Sequence, residues 1–198
     1  YGALTTDFLP LYLVVAAAGL ACLSLGLLDD RAHIRPTYRL LLSILMALAV
    51  LEVVPALMVT FLHFSFLNQV MFLDQFALVF TAICIVGLQN AINMADGKNG
   101  VVIGLCLFWC LELLLFAPDH LHLVLLSLGA ALVVALAFNL RGRLFLGDSG
   151  SYFLSFTFAL LAIYVYDIAF TTLPADLVVL WFLIPIADCL RGMALRVA

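Results

Sequence analysis

The chain of 198 residues is 67% hydrophobic and only 10% charged, with a mean hydropathy of +1.28 and a net charge of -4. A water-soluble domain carries about 25% charged residues, so too little polar surface is present to cover a soluble globule, and the chain is an integral membrane protein. The small acidic balance excludes an electrostatic nucleic-acid binder, and five cysteines set mostly inside apolar runs imply neither a disulfide framework nor a zinc site.

Apolar runs of bilayer-spanning length number seven, which makes the expected fold an all-α, polytopic helical membrane protein. In chain order they cover residues 8–28, 40–62, 71–90, 101–116, 121–140, 152–168 and 176–190. Glu52 and Pro55 predict a kink and an early end in the second run. Gln69, Asp74 and Gln75 blur the start of the third. Cys106 and Cys110 share a helix face as small apolar packing residues, and Tyr12, Tyr152, Trp109 and Trp181 are candidate interface anchors. No internal repeat divides the chain, so residues 1–198 read as a single integral-membrane domain. The first residue is not Met and no basic leader precedes the first run, so the chain reads as a fragment at both ends.

The basic residues settle orientation. Arg31, Arg35, Arg39, Lys98, Arg141, Arg143, Arg191 and Arg196 all follow odd-numbered spans. The opposite loops hold Asp7, His63, Asp74, Asp119, His120, His122, Asp167 and Asp176, with no Lys or Arg. By the positive-inside rule the basic side is cytoplasmic.

Three loops on that side carry an unusual polar set: GLLDD at 26–30, NAINMADGKNG at 90–100, and FN followed by FLGDSGS across 138–151. Taken singly, Asp29 and Asp30 fit a solvated helix end partnered by Arg31, and Asp96-Gly97 fits a plain turn. Carboxylates at a membrane boundary are costly to desolvate and usually pair or coordinate something. Three acid-bearing loops on one face, two of them Gly-rich with basic neighbours, have the composition of a site for a divalent cation and a phosphorylated substrate. Within the third loop, GDSG at 147–150 also matches the setting of a serine nucleophile. An intramembrane serine protease needs a histidine base beyond Ser149, yet His33, His63, His120 and His122 all precede it. A transporter is the other alternative, with Glu52, Glu112 and Asp188 as candidate pathway acids. His120 and His122 fit a polar outer loop better than a metal pair.

Those three motifs, in this order and spacing, resemble the polyprenyl-phosphate N-acetylhexosamine-1-phosphate transferases, the MraY/WecA-like family, and look closer to its WecA branch. IPIADCLRGMALR at 184–196 looks like the helix before that family's last cytoplasmic loop. The resemblance implies a multi-pass enzyme of the bacterial inner membrane with a cytoplasmic active site and, as an option, a homodimer. Its substrates would be a UDP-N-acetylhexosamine, with GlcNAc the default, and undecaprenyl phosphate in the lipid bilayer. Its product would initiate a cell-envelope polysaccharide, and its cofactor would be Mg²⁺, with Mn²⁺ as substitute. Carried over by motif, Asn93 and Asp148 are metal-associated, and Asp29 and Asp30 lie by the lipid phosphate, with Asp29 set to deprotonate or orient it. Asp96 belongs to the catalytic set and, with Asn139, places the nucleotide and diphosphate. Asn90, Asn99 and Arg141 complete the substrate side. The family's second loop usually reads DGxDG; here Asn99 replaces the second Asp and removes one charge from a nucleotide contact. For the site as a whole, the resemblance predicts that Asp148, not Ser149, does the chemistry, with Ser149 or Ser151 capping the following helix.

Overall fold

A computed structural model describes residues 8–67 and 69–197. Asp7 and the side chain of Arg196 lie outside the described residues. Among the described residues seven α-helices follow one another: α1 Leu9–Ala32, α2 Pro36–Val53, α3 Ala77–Ala95, α4 Val101–Phe116, α5 Asp119–Leu140, α6 Gly147–Ala169 and α7 Ala175–Val197. Six of these segments are long and apolar enough to cross a membrane, and α4, at 16 residues, is a shorter apolar helix.

The second expected span is corrected. α2 ends at Val53, because Pro55 has no N–H to continue the helical ladder. The apolar run beyond it forms a 3-10 turn at Pro55–Leu57 and then strand β1, Phe61–His63. That strand pairs antiparallel with β2, Val70–Phe72, in the register Phe61↔Phe72, Leu62↔Met71 and His63↔Val70. The hairpin is tied to α3 by the Val59 N–H donating to Thr81 Oγ1 at 2.9 Å. It is tied to α6 by the His63 N–H donating to the Tyr166 hydroxyl at 2.8 Å.

α6 is the axis of the molecule. From Ser151 to Tyr166 it is buried at every position except the half-buried Phe153. α1 packs along it most extensively, and α3, α4 and α7 also rest on it. Burial of apolar area does not by itself drive helices together in lipid, so close backbone approach matters. Gly19 and Gly26, seven apart on α1, provide it: a Cβ at Gly26 would stand 2.3 Å from Ser149 Cα. The outward faces keep Leu115, Leu123 and Leu126 exposed, where acyl chains would lie.

Three of the four aromatic anchors are also corrected. Trp109 is 0% exposed and Trp181 4%, and the Trp109 indole N–H donates to the Trp181 carbonyl at 2.8 Å. Tyr152 is buried on α6, while Tyr12 donates to the His120 carbonyl. Trp109, Trp181 and Tyr152 therefore fill the bundle core, while Tyr12 stays half-buried near the start of α1. Cys106 and Cys110 are buried packing residues as expected.

Candidate active site

The loops after α1, α3 and α5 meet at one end of the bundle, the end that carries the basic residues. α7 reaches the same end, since Cys189 lies beside Met94 with 3.4 Å between their sulfurs. Two carboxylates occupy the centre. Asp29, on the last turn of α1, is 3% exposed. Its Oδ1 accepts from the Ile34 N–H at 2.8 Å, and its Oδ2 accepts from Arg39 Nη1. The same Nη1 lies 3.5 Å from Asp148 Oδ2 in the first turn of α6. Asp148 Oδ1 in turn accepts from the Asn93 amide of α3 at 2.5 Å, and that amide also reaches Ser151 Oγ at 3.1 Å. Four helices thus contribute side chains to a single charged knot.

Asp30 plays a different part. Its carboxylate accepts from the backbone N–H of Asp148 at 3.0 Å and of Ser149 at 3.2 Å. These are orphan donors of the first turn of α6, so the cap of that helix comes from α1. The expectation that Ser149 or Ser151 caps α6 is corrected: α6 begins at Gly147, both serines lie inside its first turns, and Ser151 Oγ donates back to the Asp148 carbonyl. Gly147 has φ 65°, and a Cβ there would approach Asp30 Oδ2 to 3.1 Å, so the residue before Asp148 favours glycine twice over.

Asp96 caps the C-terminus of α3 beside this knot. Burial raises its carboxyl above the ordinary carboxylate value, the Asp148 charge adds to the rise, and the Gly147 N–H opposes it.

Comparison with known proteins decides the family. A family model described as glycosyl transferase family 4 matches residues 12–166. The chain belongs to glycosyl transferase family 4. A probable undecaprenyl-phosphate N-acetylglucosaminyl 1-phosphate transferase of Bacillus subtilis (strain 168) is 28% identical over 144 residues, covering 70% of this chain and 40% of the relative. An undecaprenyl-phosphate alpha-N-acetylglucosaminyl 1-phosphate transferase of Yersinia pestis is 32% identical over 154 residues, covering 73% and 42%. The aligned part therefore spans about two fifths of the length of these relatives.

Of the residues singled out in this family 4 chain, the fold brings together Asp29, Asp30, Asn93, Asp96 and Asp148. Asn139 sits one shell away as a bracket. It is 3% exposed, its Oδ1 accepts from the Gly100 N–H at 2.5 Å, and its amide donates to the Leu144 carbonyl at 2.8 Å. Both ends of the side chain hold loop backbone together. Asn90 turns back to the Val86 carbonyl of its own helix, outside the knot. Asn99 and Arg141 are exposed on the flanking loops and make no hydrogen bond to the acids among the described residues.

Arg39 is the central residue that the motifs did not single out. It stands ten residues after Asp29, and only the turn at His33, with φ 49°, folds α2 back over α1. An arginine at that distance from an acidic pair is the available signal, and the count of topological charges hides it.

The protease alternative fails on geometry. Ser149 lies at the N-terminus of α6, whereas His120 contacts the Tyr164 hydroxyl at 3.2 Å and His63 bonds the Tyr166 hydroxyl and the Phe170 carbonyl. Fifteen residues of helix separate Ser149 from Tyr164, roughly 22 Å at 1.5 Å per residue. His33, on the near end, makes no hydrogen bond to Ser149 among the described residues. His120 and His122 bond different partners, the Tyr164 hydroxyl and the Ala117 carbonyl. The transporter acids do not gather either: Glu52 is exposed at the end of α2 and Asp188 pairs with Arg191 at 2.8 Å.

Proposed function

We propose that this protein transfers N-acetylglucosamine 1-phosphate from its UDP derivative to undecaprenyl phosphate at the cytoplasmic face of a bacterial plasma membrane, with release of UMP. The observation that carries the reading is the knot of Asp29, Asn93 and Asp148 around Arg39, drawn from four helices at the basic end of a membrane bundle. In the reaction an oxygen of the lipid phosphate forms a bond to the β-phosphorus of the UDP-sugar. The bond from that phosphorus to the oxygen bridging the α-phosphate breaks, and UMP leaves with the electron pair.

A divalent cation, Mg²⁺ or Mn²⁺, belongs to this reading, and Asp29, Asp148 and Asn93 are the residues that would hold it. The donor set is hard oxygen, as such cations require, and the same carboxylates already draw the Arg39 cation into the gap. Among the described residues no three acidic, His or Cys side chains gather around one point. That agrees with Mg²⁺, which takes one or two carboxylates and fills its remaining positions with water and substrate phosphate. When bound, it supplies charge neutralisation on the diphosphate and its leaving group.

The chain's own residues do the positioning. Asp30 fixes the first turn of α6 and so the place of Asp148. Asn139 locks the Asp96 loop against the α5–α6 loop. Exposed Lys98, Arg141 and Arg143 on those two loops meet the donor phosphates. Asp96 is the acid least committed to protein partners and binds a proton more tightly than an ordinary carboxylate, which suits it to accept the proton of the lipid phosphate. The test is UMP release by the full-length protein from UDP-N-acetylglucosamine, with undecaprenyl phosphate and the cation each withheld in turn. Release that persists in excess EDTA, or without the lipid, overturns the proposal.

A further inference from the structure

We infer that Arg39 is a resident counter-cation that a divalent ion must displace, so that loading the metal releases a guanidinium into the substrate cleft. The inference rests on the proposed cation at Asp29 and Asp148 and adds to it a competitor built into the chain.

The oxygens identify the competition. Asp29 Oδ1 is spent on the Ile34 N–H and Asp148 Oδ1 on the Asn93 amide. What remains on each carboxylate is Oδ2, and both Oδ2 atoms face the same nitrogen, Arg39 Nη1. A metal ion bridging the two carboxylates through their uncommitted oxygens needs the position that this nitrogen fills. Two cations cannot share it, because like charges at contact distance repel strongly where water is scarce, and Asp29 is 3% exposed.

Arg39 is also able to leave. Its side chain is 27% exposed, against 3% for Asp29, and it rises from the first turn of α2 on a long, flexible stem. The charged and titratable groups that face it are Asp29 on α1 and Asp148 and Tyr152 on α6, with Asp30 and Asp96 beyond Asp148. No second fixed cation is bonded to these carboxylates among the described residues. Without metal, then, Arg39 is the one fixed cation paired with both carboxylates among the described residues. With metal bound, its charge is free to meet phosphate, in the donor or in the lipid headgroup.

The experiment measures Mn²⁺ binding by electron paramagnetic resonance on the full-length protein in nanodiscs, without either substrate. It uses the wild type, Arg39→Gln, Arg39→Lys and Asp148→Asn, each checked for helicity and monodispersity. Arg39→Gln is expected to bind Mn²⁺ more tightly, on the order of tenfold, the effect of removing one adjacent like charge. It should also show the lower melting temperature in EDTA and the larger gain on adding Mn²⁺. Arg39→Lys, which keeps the charge, should bind as the wild type does. Equal or weaker Mn²⁺ binding by folded Arg39→Gln overturns the competition while leaving the cation site standing. Binding that ignores Asp148→Asn, or that is missing from every variant, overturns the cation reading itself and this inference with it. Should Arg39→Gln fail to fold, Arg39→Lys carries the test: Mn²⁺ affinity tenfold above or below the wild type then counts against a simple charge competitor.

Discussion

Asp30, at the end of α1, caps the first turn of α6 by accepting the backbone N–H groups of Asp148 and Ser149 at 3.0 and 3.2 Å. The carboxylate is therefore an anchor for its neighbour. Asp30→Ala is expected to lower stability by about 1 kcal/mol, the usual cost of a lost helix cap. It should lower turnover further by loosening Asp148. Asp30→Asn keeps an acceptor oxygen and is expected to recover most of the stability. Thermal melts in detergent alongside UMP release separate the two effects.

Gly26 is where α1 touches the active-site turn. A Cβ there would lie 2.3 Å from Ser149 Cα and 2.5 Å from the Asp148 carbonyl oxygen, both rigid backbone. Gly26→Ala is expected to cost about 1–3 kcal/mol through overpacking and to depress turnover with it. Gly87→Ala is the matched control: nothing lies within 4 Å of the added methyl, so the variant should gain up to about 1 kcal/mol of helix propensity. Two alanines with opposite signs in the same melting assay check the packing argument.

Asn139→Ala removes the partner of both the Gly100 N–H and the Leu144 carbonyl. A loss of about 1–3 kcal/mol is expected, the cost of stranding buried polar groups. If Asn139 were instead a direct nucleotide ligand, the melting temperature would hold and the KM for the UDP-sugar would rise alone.

Asp96→Asn carries a pH signature. The Asp96 carboxyl is raised in the folded protein by burial and then by the Asp148 charge, so its ionised form is a burden on the folded state. That burden is present at neutral pH and fades as pH falls through the raised folded-state value, where the wild type takes up the proton. Asp96→Asn should therefore melt higher than the wild type at neutral pH and converge with it in acid, while losing activity. A melting difference independent of pH would refute the electrostatic account.

Asp148→Asn preserves the shape of the carboxylate and removes its charge, so turnover should fall by about 100-fold or more, as on removal of a transition-state electrostatic contact. Ser149→Ala should keep most of the activity, since the backbone of Ser149, not its hydroxyl, is what α1 and Asp30 hold. A fluorophosphonate probe that labelled Ser149 and stopped the reaction would reverse this assignment.

Much of this arrangement is legible in the sequence, for physical reasons that also mark where legibility stops. Long apolar runs report helices because lipid tolerates no unpaired backbone, and the one-sided Lys and Arg report which ends meet. The hairpin at Phe61–His63 and Val70–Phe72 escaped because an apolar strand and the tail of a span share a composition. The backbone bonds of Asn139 and Asp30 are not legible in the sequence, because a polar side chain that brackets backbone has the same letter as one that binds substrate. Arg39 was hidden for another reason: its role exists only once α2 folds back on α1 and α6 arrives beside them.

That arrival has an order. Ribosomes deliver α1 and α2 before α6, so Asp29 and Arg39, ten residues apart, can neutralise each other as soon as both helices are in the membrane. α6, the helix against which α1, α3 and α4 bury themselves, is made after all of those. Until it inserts, the Gly19 and Gly26 face of α1 lacks the helix it packs against, and the knot lacks Asp148. A nascent chain halted before α6 would hold a paired Asp29 without Asp148, so the two carboxylates meet around Arg39 only once α6 has inserted.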